Sequence, residues 1–127
     1  MSERTGVILD AGAFIQLERR DRTMVRLAQL FADARTPLVT SAAVVAQVWR
    51  GGEHDQVPIA FLLRRVKVVD LTYPVARLLG RMLAVTGTSD PIDAHVVFLA
   101  RDYGWPVLTS DPDDLRALDP GIMVEEI

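Results

Sequence analysis

Six aspartates could do chemistry together in this chain: Asp10, Asp90, Asp93, Asp111, Asp113 and Asp114. All but Asp10 lie between Thr88 and Leu115, a stretch in which Thr-Ser-Asp-Pro occurs at Thr88 and again at Thr109. An apolar helical segment and the strand candidate Val107-Leu108 separate the two copies, and each copy is placed to open a helix. Asp10 closes a separate apolar run, Gly6 to Leu9. Active sites of open α/β sheets lie beyond the carboxyl ends of the strands. Asp10 and Asp111, each just after a strand, and Asp93, in a first helical turn, are therefore expected to share one pocket. Two carboxylates ~5 Å apart repel by about 3 kcal/mol at an effective dielectric of about 20, so several together need protonation or a bound cation. With no cysteine in the chain, thiolate sites are excluded. A carboxylate pocket points to Mg2+ or Mn2+.

A simpler role exists for most of these residues. In Asp90-Pro-Ile-Asp93 and Asp111-Pro-Asp-Asp114 the first Asp can cap a helix, Pro fits the first helical position, and the last Asp sits where the helix dipole favours negative charge. Capping accounts for each motif singly; it does not account for six acids approaching one sheet edge. Thr109 and Ser110 have no histidine nearby in sequence and are read as capping or water-positioning residues, not nucleophiles. His95, two residues after Asp93, falls off that residue's helical face and is read as packed or half-exposed. Trp49 and Trp105 are read as core or interface residues.

The elements that must position the acids alternate along the chain. Val7-Ile-Leu9 has the short, wholly apolar character of a central parallel strand, and Ala11-Gly-Ala13 lets a helix start close by. Phe14 and Leu17 give that helix a buried side. Met24, Leu27, Ala28 and Phe31 recur at helical spacing, and Leu38-Val39 follows as the second strand. Ser41 caps a helix from Ala42 to about Arg50 that carries Val44, Val45, Val48 and Trp49 and stops at Gly51-Gly52. His54-Asp-Gln56 is a turn or helix start, Ile59 to Leu63 a short helix, and Val66 to Leu71 the third strand. Tyr73 to Thr86 forms a helix with Val75, Leu78, Leu79, Met82 and Leu83 on one stripe, and Met123-Val124 is a weak last strand. This order predicts a three-layer α/β/α sandwich on a mainly parallel sheet of about five strands.

The chain has 127 residues, half of them hydrophobic, which fits a single domain over residues 1–127 and leaves no room for a second. Its apolar runs are far below the ~18 residues that span a bilayer, and its start is polar, so a cytoplasmic protein with no membrane association is expected. The net charge of -3 argues against a surface coated in cations, yet 13 of the 14 basic residues are Arg. They cluster at Arg19, Arg20, Arg22 and Arg26 and at Arg64, Arg65 and Lys67. Each cluster is read as a solvated helix face or, alternatively, as a phosphate track.

Four segments, in order and spacing, resemble the signature segments of PIN domains, and most of all those of VapC-like toxins. They are Val7–Phe14, Ser41–Gly51, Asp93–Ala100 and Val107–Leu115. The resemblance covers nearly the whole chain and rests on the order of the segments, each being weak alone. It implies a metal-dependent endoribonuclease, usually dimeric, silenced by a cognate antitoxin. Asp10, Asp93 and Asp111 match the family's first, third and fourth acidic positions and are thereby implied as catalytic and metal-binding, with Asp90 and Asp114 as auxiliary acids. The second acidic position, usually Glu, falls on Gln47. Glutamine offers a neutral carbonyl oxygen but neither a base nor a charge, so reduced or absent activity is the alternative expectation. Arg50, one helical turn beyond Gln47, is the first candidate for holding RNA. A PIN-like module that binds RNA or antitoxin without efficient cleavage is thus the second reading. A phosphoacceptor receiver domain is the third, and it is disfavoured because Asp10 has no acidic neighbour and the only lysine is Lys67.

Overall fold

Three short apolar runs free of charged residues become the middle of a five-stranded sheet. The structure is a computed structural model and describes residues 5–51 and 54–127. The strands are β1 (Val7–Leu9), β2 (Leu38–Ser41), β3 (Val66–Val69), β4 (Val107–Thr109) and β5 (Val124–Glu126). They run in the order β3-β2-β1-β4-β5, and every pairing is parallel. A parallel sheet is covered on both faces, which is why β2 and β4 are buried at every position while the edge strands β3 and β5 are not.

Seven α-helices supply the cover: α1 (Ala11–Glu18), α2 (Arg22–Ala34), α3 (Ala42–Val48), α4 (Val57–Leu63), α5 (Tyr73–Thr86), α6 (Pro91–Tyr103) and α7 (Pro112–Leu118). A 3-10 turn, His54–Gln56, leads into α4. Helix α1 packs with α2, α3 and α4, whereas α6 packs with α5 and α7 and lies against β1 and β2. Helix α3 also reaches α6, so it bridges the two helical layers at one end of the sheet. Phe14, Ile8, Leu9, Met24, Ile59, Leu79, Leu99 and Leu115 fill the core at full burial.

The three-layer architecture agrees with the reading from sequence, and several boundaries move. The sheet is wholly parallel rather than mainly so. Strand β3 stops at Val69 rather than Leu71, and β5 is displaced to Val124–Glu126. Helix α3 ends at Val48, not Arg50, because the Trp49 backbone turns extended (φ -83°, ψ 131°) and the Arg50 N–H donates to Gln56 Oε1 at 2.7 Å instead of continuing the helix. On α5, Leu78 leaves the buried stripe and faces solvent. The likeness of Leu78 to its neighbours in apolar character could not reveal that this helix is covered on one side only. No helix among the described residues is long and apolar enough to cross a membrane.

Candidate active site

From β1 the chain moves across the sheet toward β2, and from β4 it moves the opposite way toward β5. The carboxyl ends of β1 and β4 therefore flank the switch point, where open α/β sheets leave a crevice. Asp10 follows β1 directly, and Asp111 lies two residues past β4. Helix α6 presents Asp90 as its N-cap and Asp93 in its first turn.

Asp10 is 6 % exposed. Its Oδ1 accepts from the Ala11 N–H at 2.8 Å and its Oδ2 from Thr109 Oγ1 at 2.9 Å. Thr109 Oγ1 in turn accepts from the Asp111 N–H at 2.9 Å, so one hydroxyl ties both sides of the crevice together. Burial raises the Asp10 pKa above the ordinary carboxylate value; the Ala11 and Thr109 bonds oppose this, and the charges of Asp111 and Asp90 add to it. Asp93 is pushed up to about 7, first by burial and then by repulsion from Asp90, Asp10 and Asp114. Asp114 is raised mainly by the charge of Asp111. Asp10, Asp90, Asp93, Asp111 and Asp114 thus form one electrostatically coupled group. The ion pairs among the described residues are Arg101–Asp119 and Arg116–Asp113, so no cation neutralises that group. Asp113, expected at the same edge, turns outward to Arg116 at 3.6 Å instead.

Capping explains only part of this. Asp90 Oδ1 does cap α6, accepting from Ile92 N–H at 2.8 Å and Asp93 N–H at 3.3 Å. Asp111 makes no side-chain capping bond to α7, and its carboxylate is engaged instead by the side chain of Asp114.

The PIN domain family model matches residues 7–119, a span that includes every strand but β5 and all seven helices. The chain belongs to the PIN domain family. Three solved structures share its fold. The VapBC2 complex of Rickettsia felis bound to a promoter DNA fragment aligns over 95 % of this chain and 98 % of its own, at 15 % identity and a TM-score of 0.69. FitAB bound to IR36 DNA aligns over 94 % of each chain at 18 % identity and a TM-score of 0.62. PAE2754 of Pyrobaculum aerophilum aligns over 94 % of this chain and 89 % of its own, at 17 % identity and a TM-score of 0.62. No curated protein matches the sequence.

The other two candidates of this PIN domain lie on α3 or just beyond its end, not at a strand end or on α6. Gln47 is exposed on α3, and its side chain makes no hydrogen bond among the described residues. Arg50 is exposed beyond the end of α3, and its Nη1 donates to Ala46 O at 3.2 Å and Trp49 O at 2.9 Å. Trp49 is 38 % exposed, whereas Trp105 packs on Tyr103 with ring centroids 4.7 Å apart.

Two supporting residues escaped the sequence reading. Gln56, 4 % exposed, accepts from the Arg50 N–H and donates to Glu18 and to Val48 O, fixing the turn after α3. Thr40, wholly buried, donates to Leu9 O at 2.7 Å and steadies the backbone just before Asp10. A buried threonine in a strand is ordinary, and nothing near Gln56 in sequence marks it, so neither carried a signal.

Close approach of α1 to the turn after β4 depends on Gly12, where a Cβ would collide with Ser110 Oγ and lie 2.9 Å from Ser110 N. Gly12→Ala should therefore displace that turn and Asp111 with it, destabilising the fold by about 1–3 kcal/mol. Chemical denaturation measures this; an unchanged midpoint would show that the close approach relaxes freely.

Proposed function

We propose that this PIN domain is a metal-dependent endoribonuclease and the toxin of a toxin–antitoxin pair, acting in the cytoplasm. The observation that carries the reading is the group of five coupled, uncompensated carboxylates at the switch point. Hard oxygen donors gathered with no neutralising cation among the described residues suit Mg2+ or Mn2+ in ligand type and charge. They do not yet converge, since among the described residues no three such groups sit close enough to hold an ion. Asp10, Asp93 and Asp111 would hold the cation, with Asp90 and Asp114 as auxiliary acids. When bound, the metal supplies Lewis-acid activation of a phosphodiester and of an attacking water.

The chain's own residues do the rest. Thr109 holds the Asp10 carboxylate by its hydroxyl, and Asp93, able to hold a proton near neutral pH without metal, would release that proton on serving as a ligand. Thr109 Oγ1 is already engaged by Asp10 and Asp111, so a threonine nucleophile is not part of this scheme. Arg50, at the exposed end of α3, would take a phosphate of the RNA. Removing it by Arg50→Ala should shallow the salt dependence of RNA binding by ~0.7 log units for each phosphate that it neutralises; an unchanged slope refutes that role.

An antitoxin partner is supported by the two structural neighbours named as VapBC2 and FitAB complexes. A groove between α2 and α4 suits a partner segment that is apolar and acidic: Leu17, Val25 and Pro58 line it, with Arg20, Arg22 and Arg26 alongside. A homodimer would cover Tyr73, Leu78 and Val85, which α5 leaves 74 %, 56 % and 87 % exposed.

Gln47, a neutral residue in place of the usual Glu and with no side-chain partner among the described residues, favours a second reading, a PIN domain that binds RNA or its antitoxin with weak or no cleavage. The metal itself is tested by thermal melting. At 100 times its dissociation constant, Mn2+ should stabilise the wild type by about 2.7 kcal/mol, a response lost in Asp10→Asn. Melting indifferent to both millimolar Mn2+ and EDTA would defeat the shared metal site.

A further inference from the structure

His95 is completely buried, yet one ring nitrogen has no partner among the described residues. Its Nδ1 shares a 2.6 Å hydrogen bond with Ser41 Oγ, while Nε2 meets no donor or acceptor among them. Ser41 Oγ already accepts from the Ala43 N–H at 2.9 Å. Its one hydroxyl proton is satisfied only by pointing at Nδ1, which leaves the ring proton on Nε2. Full burial rules out a serine–histidine nucleophile, since no substrate reaches either group. An orphaned buried ring nitrogen is a cost to stability that an apolar side chain of the same size would avoid. The bond at Nδ1 is what that cost maintains, and it joins two particular places. Ser41 ends β2 and caps α3, the helix of Gln47 and Arg50; His95 lies in the first turns of α6, two residues after Asp93.

We infer that His95 is a positioning residue: through Ser41 it fixes the Asp93 end of α6 against the start of α3, setting the two walls of the acidic crevice. The inference rests on the metal-dependent reading for its consequence, but the mechanical link exists with or without metal. Packing and hydrogen bonding make opposite demands at this position. Leucine fills the space of the ring and has no polar atom; asparagine leaves space but places an amide near the position of Nδ1. If the ring only fills the core, His95→Leu should behave better than His95→Asn. If it positions α6, the order reverses for the crevice whatever happens to overall stability.

The experiment follows backbone amides by NMR relaxation dispersion in the full chain without metal, and then titrates Mn2+ calorimetrically. His95→Leu should fold with a melting temperature at or above that of wild type. Microsecond-to-millisecond exchange should nevertheless appear together in residues 90–95 and 42–50, and Mn2+ affinity should fall about tenfold or more, the range seen for groups that orient metal ligands. His95→Asn should restore quiet amides and most of the affinity despite lower stability. Ser41→Ala, which keeps the ring, should reproduce the His95→Leu exchange and provides the comparison if His95→Leu fails to fold. Quiet amides in both His95→Leu and Ser41→Ala, or a leucine variant that outperforms asparagine in the crevice, overturn the inference. A wild type that binds no Mn2+ defeats the metal reading alone, and the exchange data then decide the link by themselves.

Discussion

Asp93→Asn should yield a protein that is more stable than wild type above neutral pH and that cuts RNA at least about a hundredfold more slowly. Both effects come from one carboxylate. The pKa of Asp93 stands at about 7 in the fold against 3.8 for the free residue. A raised pKa means that the folded state binds the proton more tightly than the unfolded chain does. Its contribution to stability is therefore complete below the unfolded value and disappears as pH rises through the folded one. For a shift of this size, wild type should lose about 2 kcal/mol between about pH 5.5 and pH 8 in the absence of metal. Asp10, raised in the same direction by its burial, adds to the slope with the same sign. Asparagine cannot ionise, so the variant should have a flatter profile and exceed wild type at the alkaline end. Urea melts across pH with EDTA present, beside a cleavage assay with Mn2+, measure the two halves. Equal pH profiles would mean that Asp93 is not held in a repulsive pocket; full cleavage by the variant would remove it from the chemistry.

Such a trade of stability for a charged site explains why the acids were legible in the sequence. Aspartates at the ends of apolar runs contradict the local economy of a fold, and a contradiction repeated on several elements points to one place. The strands were legible for a related reason: Val7–Leu9 and Val107–Thr109 can only be central, since runs without charge belong under helices on both sides. Sequence periodicity ends where tertiary contacts take over. Nothing in the residues from Ala42 to Arg50 announces that α3 stops at Val48, because its end is set by Gln56, which approaches Arg50 from the next element. Asp113 and Asp114 are adjacent and chemically identical, yet Asp114 is raised chiefly by Asp111 while Asp113, the weakest of its neighbours in effect, pairs with Arg116. Which of two neighbours faces a crevice is a matter of helix phase within a single turn, and composition cannot resolve it. His95 shows the same limit. Its placement off the Asp93 face was readable, but its burial against Ser41, 54 residues away in sequence, was not.

Gln47→Glu should raise both metal affinity and RNA cleavage, because it returns a carboxylate to the position where PIN domains usually carry one. The position is exposed, so the added charge remains solvated and screened. Its cost to the metal-free fold should accordingly be small, within about 0.5 kcal/mol, in contrast to the half-buried Asp93. Stability and activity are thus separated at this residue and opposed at Asp93. Three aspartates would still offer a dication more negative charge than it needs, and on the proposed function wild type should keep a weak activity that requires Mn2+ or Mg2+. Structured RNA incubated with wild type, Gln47→Glu and Asp93→Asn distinguishes the readings. Weak cleavage by wild type and faster cleavage by Gln47→Glu support a nuclease weakened at one ligand. Cleavage by Gln47→Glu alone makes the natural protein a binding module in which the glutamine is the disabling change. If none of the three cuts any RNA tested, while Mn2+ still shifts the melting curve of wild type, the metal site stands and RNA hydrolysis is the wrong reaction for it.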